Sequence, residues 1–395
     1  MIPFFHPEFG PEEAEAVARV VRSGYVNEGE VVEEFEAAIA ALHGRKYCVA
    51  VTSGTAAISL ALMAVGVERG DQVAVPALTF VATANAVKLA GAMPQFVDVQ
   101  RDCLMSALVQ WWGNTRAVVP VAVNGRSTDW GTCFRWAREE MRVAIVEDAC
   151  EALGAKSTAD IACYSFSPNK IITTGQGGAA VTDDEALFWR LRELRNQGLR
   201  HRGTGGDDSF AAHGFNCRMT NLQAALGLEQ LKRLPERQKI IARRHALYRE
   251  VLGDMMPDTP GLWADIVSDE RPAIEVALKA AGIGYRNFWR VVPHQPAHKQ
   301  AGSWPVAEGI SARGMWLPSA FSLTEGQILQ TAEVVRRAAS DARRAKGMGR
   351  ETDCAGMPSP SAGDRLPAGF PASFETAAGS MRAPASARQS AGGFA

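Results

Sequence analysis

The sequence predicts an α/β protein: a mostly parallel central sheet followed by a smaller C-terminal α/β domain. Short apolar runs alternate with helical stretches, and the alternation restarts past Pro257 and Pro260. The length points the same way, because 395 residues exceed one ordinary core at about 100–200 residues per domain.

The spacing predicts helices over 11–22 and 33–42. A β-rich run at 47–51 ends in Thr52-Ser53-Gly54-Thr55, and a helix over 56–65 completes a strand-turn-helix unit. Further strands are expected at 72–75, 93–97, 117–123, 144–146, 161–166 and 179–182, with helices at 83–90 and 132–140 between several of them. Helices over 221–233 and 236–252 close a large domain, 1–255. A strand at 262–267, a helix at 271–281, a turn at Gly282-Ile283-Gly284 and a last helix at 324–338 make a small domain, 256–339. From Ser340 the chain turns rich in Ala, Gly, Ser and Pro with little periodicity, so 340–395 reads as a disordered tail.

Composition narrows the function classes. Forty-two Lys and Arg against 43 Asp and Glu leave a formal charge of −1, with no general cationic field for nucleic acid or anionic lipid. A small-molecule partner is expected instead. Hydrophobic residues at 47% and charged residues at 22% exclude wholesale disorder. Seven cysteines without C-x-x-C or His/Cys ligand spacing read as reduced thiols, with no metal site. No signal-peptide pattern opens the chain, and its most apolar stretch, 73–99, is broken by Asn85, Lys88, Gly91 and Pro94, so a cytoplasmic protein is expected.

Four local patterns carry chemistry. Ser53-Gly54-Thr55-Ala56-Ala57 stands between a strand and a helix, where unpaired N–H groups, hydroxyls and a glycine suit a phosphate; a plain N-cap explains the same residues. Glu147-Asp148-Ala149-Cys150-Glu151 follows an apolar run directly. A carboxylate at the carboxyl end of a parallel strand can hold a protonated ring nitrogen or a metal, or cap the next turn. Lys170 follows Tyr164-Ser165-Phe166-Ser167-Pro168-Asn169 and precedes Gly175-Gln176-Gly177-Gly178. An amine among isoleucines suits a Schiff-base nucleophile, and a snorkelling lysine has the same local appearance. In Gly214-Phe215-Asn216-Cys217-Arg218-Met219-Thr220-Asn221, the last two residues would cap a helix and leave Asn216 and Arg218 on a loop, structural or aimed at phosphate.

In this order, S-G-T-A-A, E-D-A-x-E, S-F-S-P-N-K with its Gly-rich turn, and G-F-N-x-R-M-T-N-L-Q-A-A resemble the pyridoxal-phosphate sugar aminotransferases of the DegT/DnrJ/EryC1/StrS type over about residues 7–338. The resemblance implies a fold-type-I transferase that binds pyridoxal 5'-phosphate. Lys170 would be its Schiff-base lysine and Asp148 the partner of the pyridinium nitrogen. Phe80 would stack on the ring, Gly54, Thr55, Ala56 and Ser165 would hold the phosphate, and Glu151 would stand near the cofactor hydroxyl. Asn216 would reach the phosphate in a neighbouring subunit, implying a homodimer with shared sites. Related dehydratases carry His in place of the lysine, so Lys170 favours transamination.

The implied reaction moves an amino group from glutamate to a nucleotide-linked 4-keto-6-deoxy sugar, giving a 4-amino-4,6-dideoxy sugar nucleotide, as in perosamine synthases. A C3-aminating relative, an enzyme of plain amino acids and a non-catalytic binding protein on the same scaffold are the alternatives. Arg218, Arg286, Phe288 and Trp289 are candidates for the substrate side. The departures from the family pattern also touch that side: shortened segments at 97–118 and 148–170, Pro120-Val121-Ala122-Val123-Asn124-Gly125 for P-V-H-L-Y-G, and Val291-Val292-Pro293-His294-Gln295-Pro296 for P-L-H-x-Q-P.

Overall fold

A computed structural model describes residues 1–99, 115–126, 139, 142–200, 210 and 212–353. Residues Met1–Gly347 form one compact unit. Its large sheet has seven strands, β1 (Tyr47–Val51), β2 (Gln72–Pro76), β3 (Met93–Val97), β4 (Thr115–Val118), β5 (Ala144–Asp148), β6 (Ile161–Ser165) and β7 (Gly178–Thr182), in the order β1-β7-β6-β5-β4-β2-β3. All pair in parallel except β7, which runs against both β1 and β6. A parallel sheet must be covered on both faces. Accordingly β7 is buried at every residue, and β1, β2 and β5 at all but their first.

The covering helices follow from local sequence. α1 (Pro11–Ser23) starts on a proline, and Glu13 Oε2 accepts the Gly10 N–H at 2.7 Å. α2 (Glu30–His43) packs on β1 and β7. α3 (Gly54–Ala64) lies against β5, β6 and β7 beside α4 (Val81–Leu89) and α5 (Glu185–Arg195). Asp184 caps α5 by accepting the N–H groups of Ala186 and Leu187. α6 (Asn221–Lys232), capped by Thr220, packs on α1 and α2, and α7 (Leu234–Leu252) follows it.

A second, three-stranded antiparallel sheet has the order β8 (Asp265–Val267), β10 (Gly314–Trp316), β9 (Arg286–Asn287). With α8 (Arg271–Ala280) and α10 (Glu325–Asp353) it encloses its own apolar cluster of Ile266, Ile274, Leu278, Met315, Ile328 and Val335. α9 (Pro305–Arg313) leads into β10.

Several expectations change. The strand expected at 117–123 stops at Val118, since Pro120 has no N–H to give and Asn124 takes a left-handed φ of 56° in a short 3₁₀ turn, Val123–Gly125. The tail expected from Ser340 begins instead as helix: α10 runs on to Asp353. Its run of Ala, Arg and Lys favours helix, and Arg343 and Lys346 reach back to Glu270. Residues 354–395 and most of the helix expected at 132–140 lie outside the described residues.

Candidate active site

The loops after β1, β2, β5 and β6 meet at one edge of the large sheet, around a cavity of about 310 Å³. Ser53 caps α3, its Oγ accepting the Ala56 N–H at 3.1 Å. The first-turn N–H groups of Gly54 and Thr55 have no intrahelical acceptor, and both residues line the cavity. Ala56 does not line it, and its N–H is taken up by the Ser53 cap. Close packing sets this cradle: a Cβ on Gly54 would stand 2.7 Å from Cys150 Sγ and 2.8 Å from Ser165 Cβ, and one on Gly178 2.7 Å from the Gly54 nitrogen. Ser165, Ser167, Asn169 and Gln176 continue the polar wall, with the Ser167 hydroxyl donating to Asn169 Oδ1 at 3.0 Å.

Asp148 ends β5 and is buried. Its Oδ2 accepts from the Thr83 hydroxyl at 2.7 Å, Thr83 pairs with Thr79 at 2.9 Å, and Oδ1 accepts the Cys150 N–H at 3.2 Å. Each oxygen keeps a lone pair for a further donor. Its neighbour Glu147 is also buried, and burial together with the Asp148 charge raises the Glu147 carboxyl to about 7. Burial also pushes the Cys150 thiol well up.

Lys170 Nζ lies 3.1 Å from Glu151 Oε1 and 5.5 Å from the centre of the Trp263 ring. Glu151 Oε2 in turn accepts the main-chain N–H of Asn124 at 2.6 Å. The Asn124 side chain closes a two-way bridge to Trp263, donating to its carbonyl and accepting its N–H, both at 2.8 Å. Next to it, Arg126 makes a buried two-pronged pair with Asp265, at 2.8 and 2.6 Å. This fixed connection ties the turn after β4 to the segment entering β8, and so to the wall behind Lys170.

Much of the rest of the lining is aromatic. Phe4, Phe80, Trp263, Trp289 and Trp316 belong to it, with Trp316 5.3 Å from Trp263 and 4.9 Å from Trp289 between ring centres. Phe80, half exposed, leans on Trp289 at 6.1 Å. The Arg286 guanidinium lies 5.8 Å from the Trp316 ring; among the described lining residues it and Lys170 are the cations.

Of the residues expected from sequence, Gly54, Thr55, Phe80, Asp148, Glu151, Ser165, Lys170, Arg286 and Trp289 meet around the cavity. Phe288 does not. It is buried, 4.6 Å from Trp316, in space left by Gly314, and it buttresses the wall from behind. Asn216 and Arg218 also stand away from this chain's cavity, paired at 3.1 Å on the loop before α6. Thr83, Asn124, Trp263, Trp316 and Phe4 were not singled out by motif. Thr79 and Thr83, one helical turn apart at the start of α4, held the readable signal.

Among the described residues no cluster of His, Cys, Asp or Glu could hold a metal, and no helix is long and apolar enough to cross a membrane. The family model of the DegT/DnrJ/EryC1/StrS aminotransferase family matches residues 7–336. The chain is 34% identical to the GDP-perosamine synthase of Caulobacter vibrioides over 331 residues, 76% of this chain and 88% of that protein. It is 31% identical to the GDP-perosamine synthase of Escherichia coli O157:H7 over 365 residues, 86% and 99% of the two chains. Among solved structures, S. venezuelae DesV in complex with a ketimine intermediate is similar with a TM-score of 0.78 at 31% identity, over 83% of this chain and 94% of that one. Lysine and aspartate brought together at the sheet edge, a helix start open to phosphate and these likenesses agree: the chain belongs to the DegT/DnrJ/EryC1/StrS aminotransferase family.

Proposed function

We propose that the chain is a cytoplasmic aminotransferase that binds pyridoxal 5'-phosphate and moves an amino group from glutamate to a nucleotide-linked 4-keto-6-deoxy sugar, giving a 4-amino-4,6-dideoxy sugar nucleotide. The observation that carries the reading is the convergence of Lys170, Asp148 and the open first turn of α3 on one cavity. The residues present fit the cofactor. Gly54 and Thr55 N–H groups and the Ser165 hydroxyl would hold its phosphate, while Asp148, aimed by Thr83, would hold the ring nitrogen. Phe80 would cover the ring and Lys170 would bind it covalently. Once bound, the cofactor supplies an electron sink for the substrate's α-carbon bond. Lys170 Nζ holds and moves the proton, and Glu151, held by Asn124, orients that amine.

The sugar acceptor is supported by the two curated relatives named GDP-perosamine synthase and by the aromatic wall, which suits the apolar face of a deoxy sugar. Residues 256–339 would form a substrate-side lobe that supplies Trp263, Arg286, Trp289 and Trp316. Asn216 and Arg218, away from their own cavity, would serve the cavity of a second copy in a homodimer.

Purified chain loaded with pyridoxal phosphate should show a visible absorption band that borohydride removes, leaving a mass adduct on Lys170. Absence of both the band and the adduct would overturn the enzyme reading. Incubation with glutamate and a panel of GDP-, UDP- and dTDP-linked 4-keto- and 3-keto-6-deoxy sugars, read by mass and NMR, then tests the sugar. Transfer to none of them sinks that part, and transfer to a 3-keto sugar moves the amination to C3.

A further inference from the structure

Residues 2–4 belong to none of the ten strands among the described residues, yet they build part of the cavity. Ile2 bridges Ile283 in parallel: its N–H donates to the Gly282 carbonyl at 3.1 Å, and its carbonyl accepts the Gly284 N–H at 2.8 Å. The Ile2 side chain is buried in the cluster with Ile266, Ile283 and Met315. Two residues on, the Phe4 carbonyl accepts the Ser319 N–H at 2.7 Å. Pro3 fixes φ between these anchors. The backbones approach so closely that a Cβ on Gly284 would stand 2.6 Å from the Phe4 nitrogen. Residues 2–4 are thus a strap clipped at both ends to segments flanking the small sheet, before β9 and after β10, and it sets the Phe4 ring into the cavity wall, 6.5 Å from Trp263.

We propose that Phe4 determines specificity for the amino acceptor, its ring and that of Trp263 forming the apolar surface on which the deoxy sugar packs. The inference rests on the sugar aminotransferase reading. A deoxy sugar presents C–H groups and a methyl that gain from burial on aromatic rings. A small dicarboxylate donor presents mostly charge, for which the wall offers Arg286 instead. Both reactants use one cavity in turn, so a residue touching only the apolar part of it acts on one of them.

The test uses Phe4→Ala, Phe4→Tyr and Gly284→Ala in the full chain. Acceptor affinity is measured by calorimetry on the cofactor-free protein, and the acceptor KM and the rate constant of the glutamate half-reaction on the loaded protein. Phe4→Ala should weaken acceptor affinity and raise its KM about tenfold, the size expected for losing one packed ring face. The rise in acceptor KM should exceed the change in the glutamate half-reaction by at least about fivefold. Gly284→Ala, outside the lining itself but with a Cβ that would press on the Phe4 main chain and force the strap off, should reproduce the acceptor loss, and Phe4→Tyr should restore affinity. Acceptor affinity within twofold of the parent in Phe4→Ala overturns the proposal, as does an equal loss in both half-reactions. If the parent chain aminates no nucleotide sugar, the sugar reading fails first, a result visible before any variant is made.

Discussion

Glu147 offers the most exacting test of how the site is built. It precedes Asp148 on β5, and its carboxyl rises from 4.5 to about 7, mainly through burial, against a lowering hydrogen bond from Ser157. At about 1.4 kcal/mol per pH unit, that rise is worth about 3 kcal/mol. A carboxyl whose folded value is raised adds stability below its unfolded value and loses it as pH climbs, here across 4.5 to 7. His43 has the opposite sign. Burial lowers it from 6.5 to about 4, beside the Tyr164 ring at 4.1 Å and with Arg45 opposing its charge, so its contribution is complete above 6.5 and is lost as pH falls. The two slopes oppose each other between 4.5 and 6.5. Glu147→Gln keeps the shape and removes the charge, so its gain over the parent should grow from nothing near pH 4.5 to about 3 kcal/mol above pH 7. Urea midpoints of both proteins at half-unit steps from pH 4.5 to 8 read the difference. A difference that stays flat with pH would refute the argument, because it would mean that Glu147 carries its charge freely in the fold.

Other consequences are simpler to read. Breaking the buried Arg126–Asp265 pair with Arg126→Met should cost about 3–5 kcal/mol in urea unfolding, and the double variant Arg126→Met/Asp265→Leu should recover most of it. Gly178→Ala should weaken pyridoxal phosphate binding at least about tenfold in a spectroscopic titration, since its Cβ would press on the Gly54 nitrogen. Thr83→Val, which leaves Asp148 without its 2.7 Å donor, should lower kcat about tenfold while the borohydride adduct on Lys170 still forms.

Much of the large sheet was legible because its strands carry unbroken apolar runs between turn residues. β1 and β3 fall on 47–51 and 93–97 as the pattern predicts. Of the small sheet only β8 was legible, within the run expected at 262–267; β9 has two residues and β10 three, too short for any period to show. α5 was overlooked although Asp184 announces it as a cap. In the site, Lys170, Asp148 and the Ser53–Thr55 turn could be named because each ends or closely follows a recognisable strand. Asn124 could not: its role rests on a left-handed backbone and on Trp263, 139 residues away in sequence, and neither leaves a local pattern. Phe288 misled for a related reason, as only the space beside Gly314 decides that its ring turns inward while Trp289 lines the cavity.

The reversal of β7 has a consequence for where an amine can go. Because Ser165 of β6 pairs with Gly178 of β7, the segment 166–177 leaves the sheet and re-enters it at the same edge, held at both ends one strand spacing apart. A parallel β7 would have needed a crossover that carries the chain to the far end before returning. Lys170 therefore sits on a short closed excursion, and in the Schiff-base role proposed for it a freed amine would stay within one side chain's reach of its attachment point. Confinement to a sphere of that radius corresponds to an effective concentration on the order of 1 M, far above any free amine competing for the same carbon.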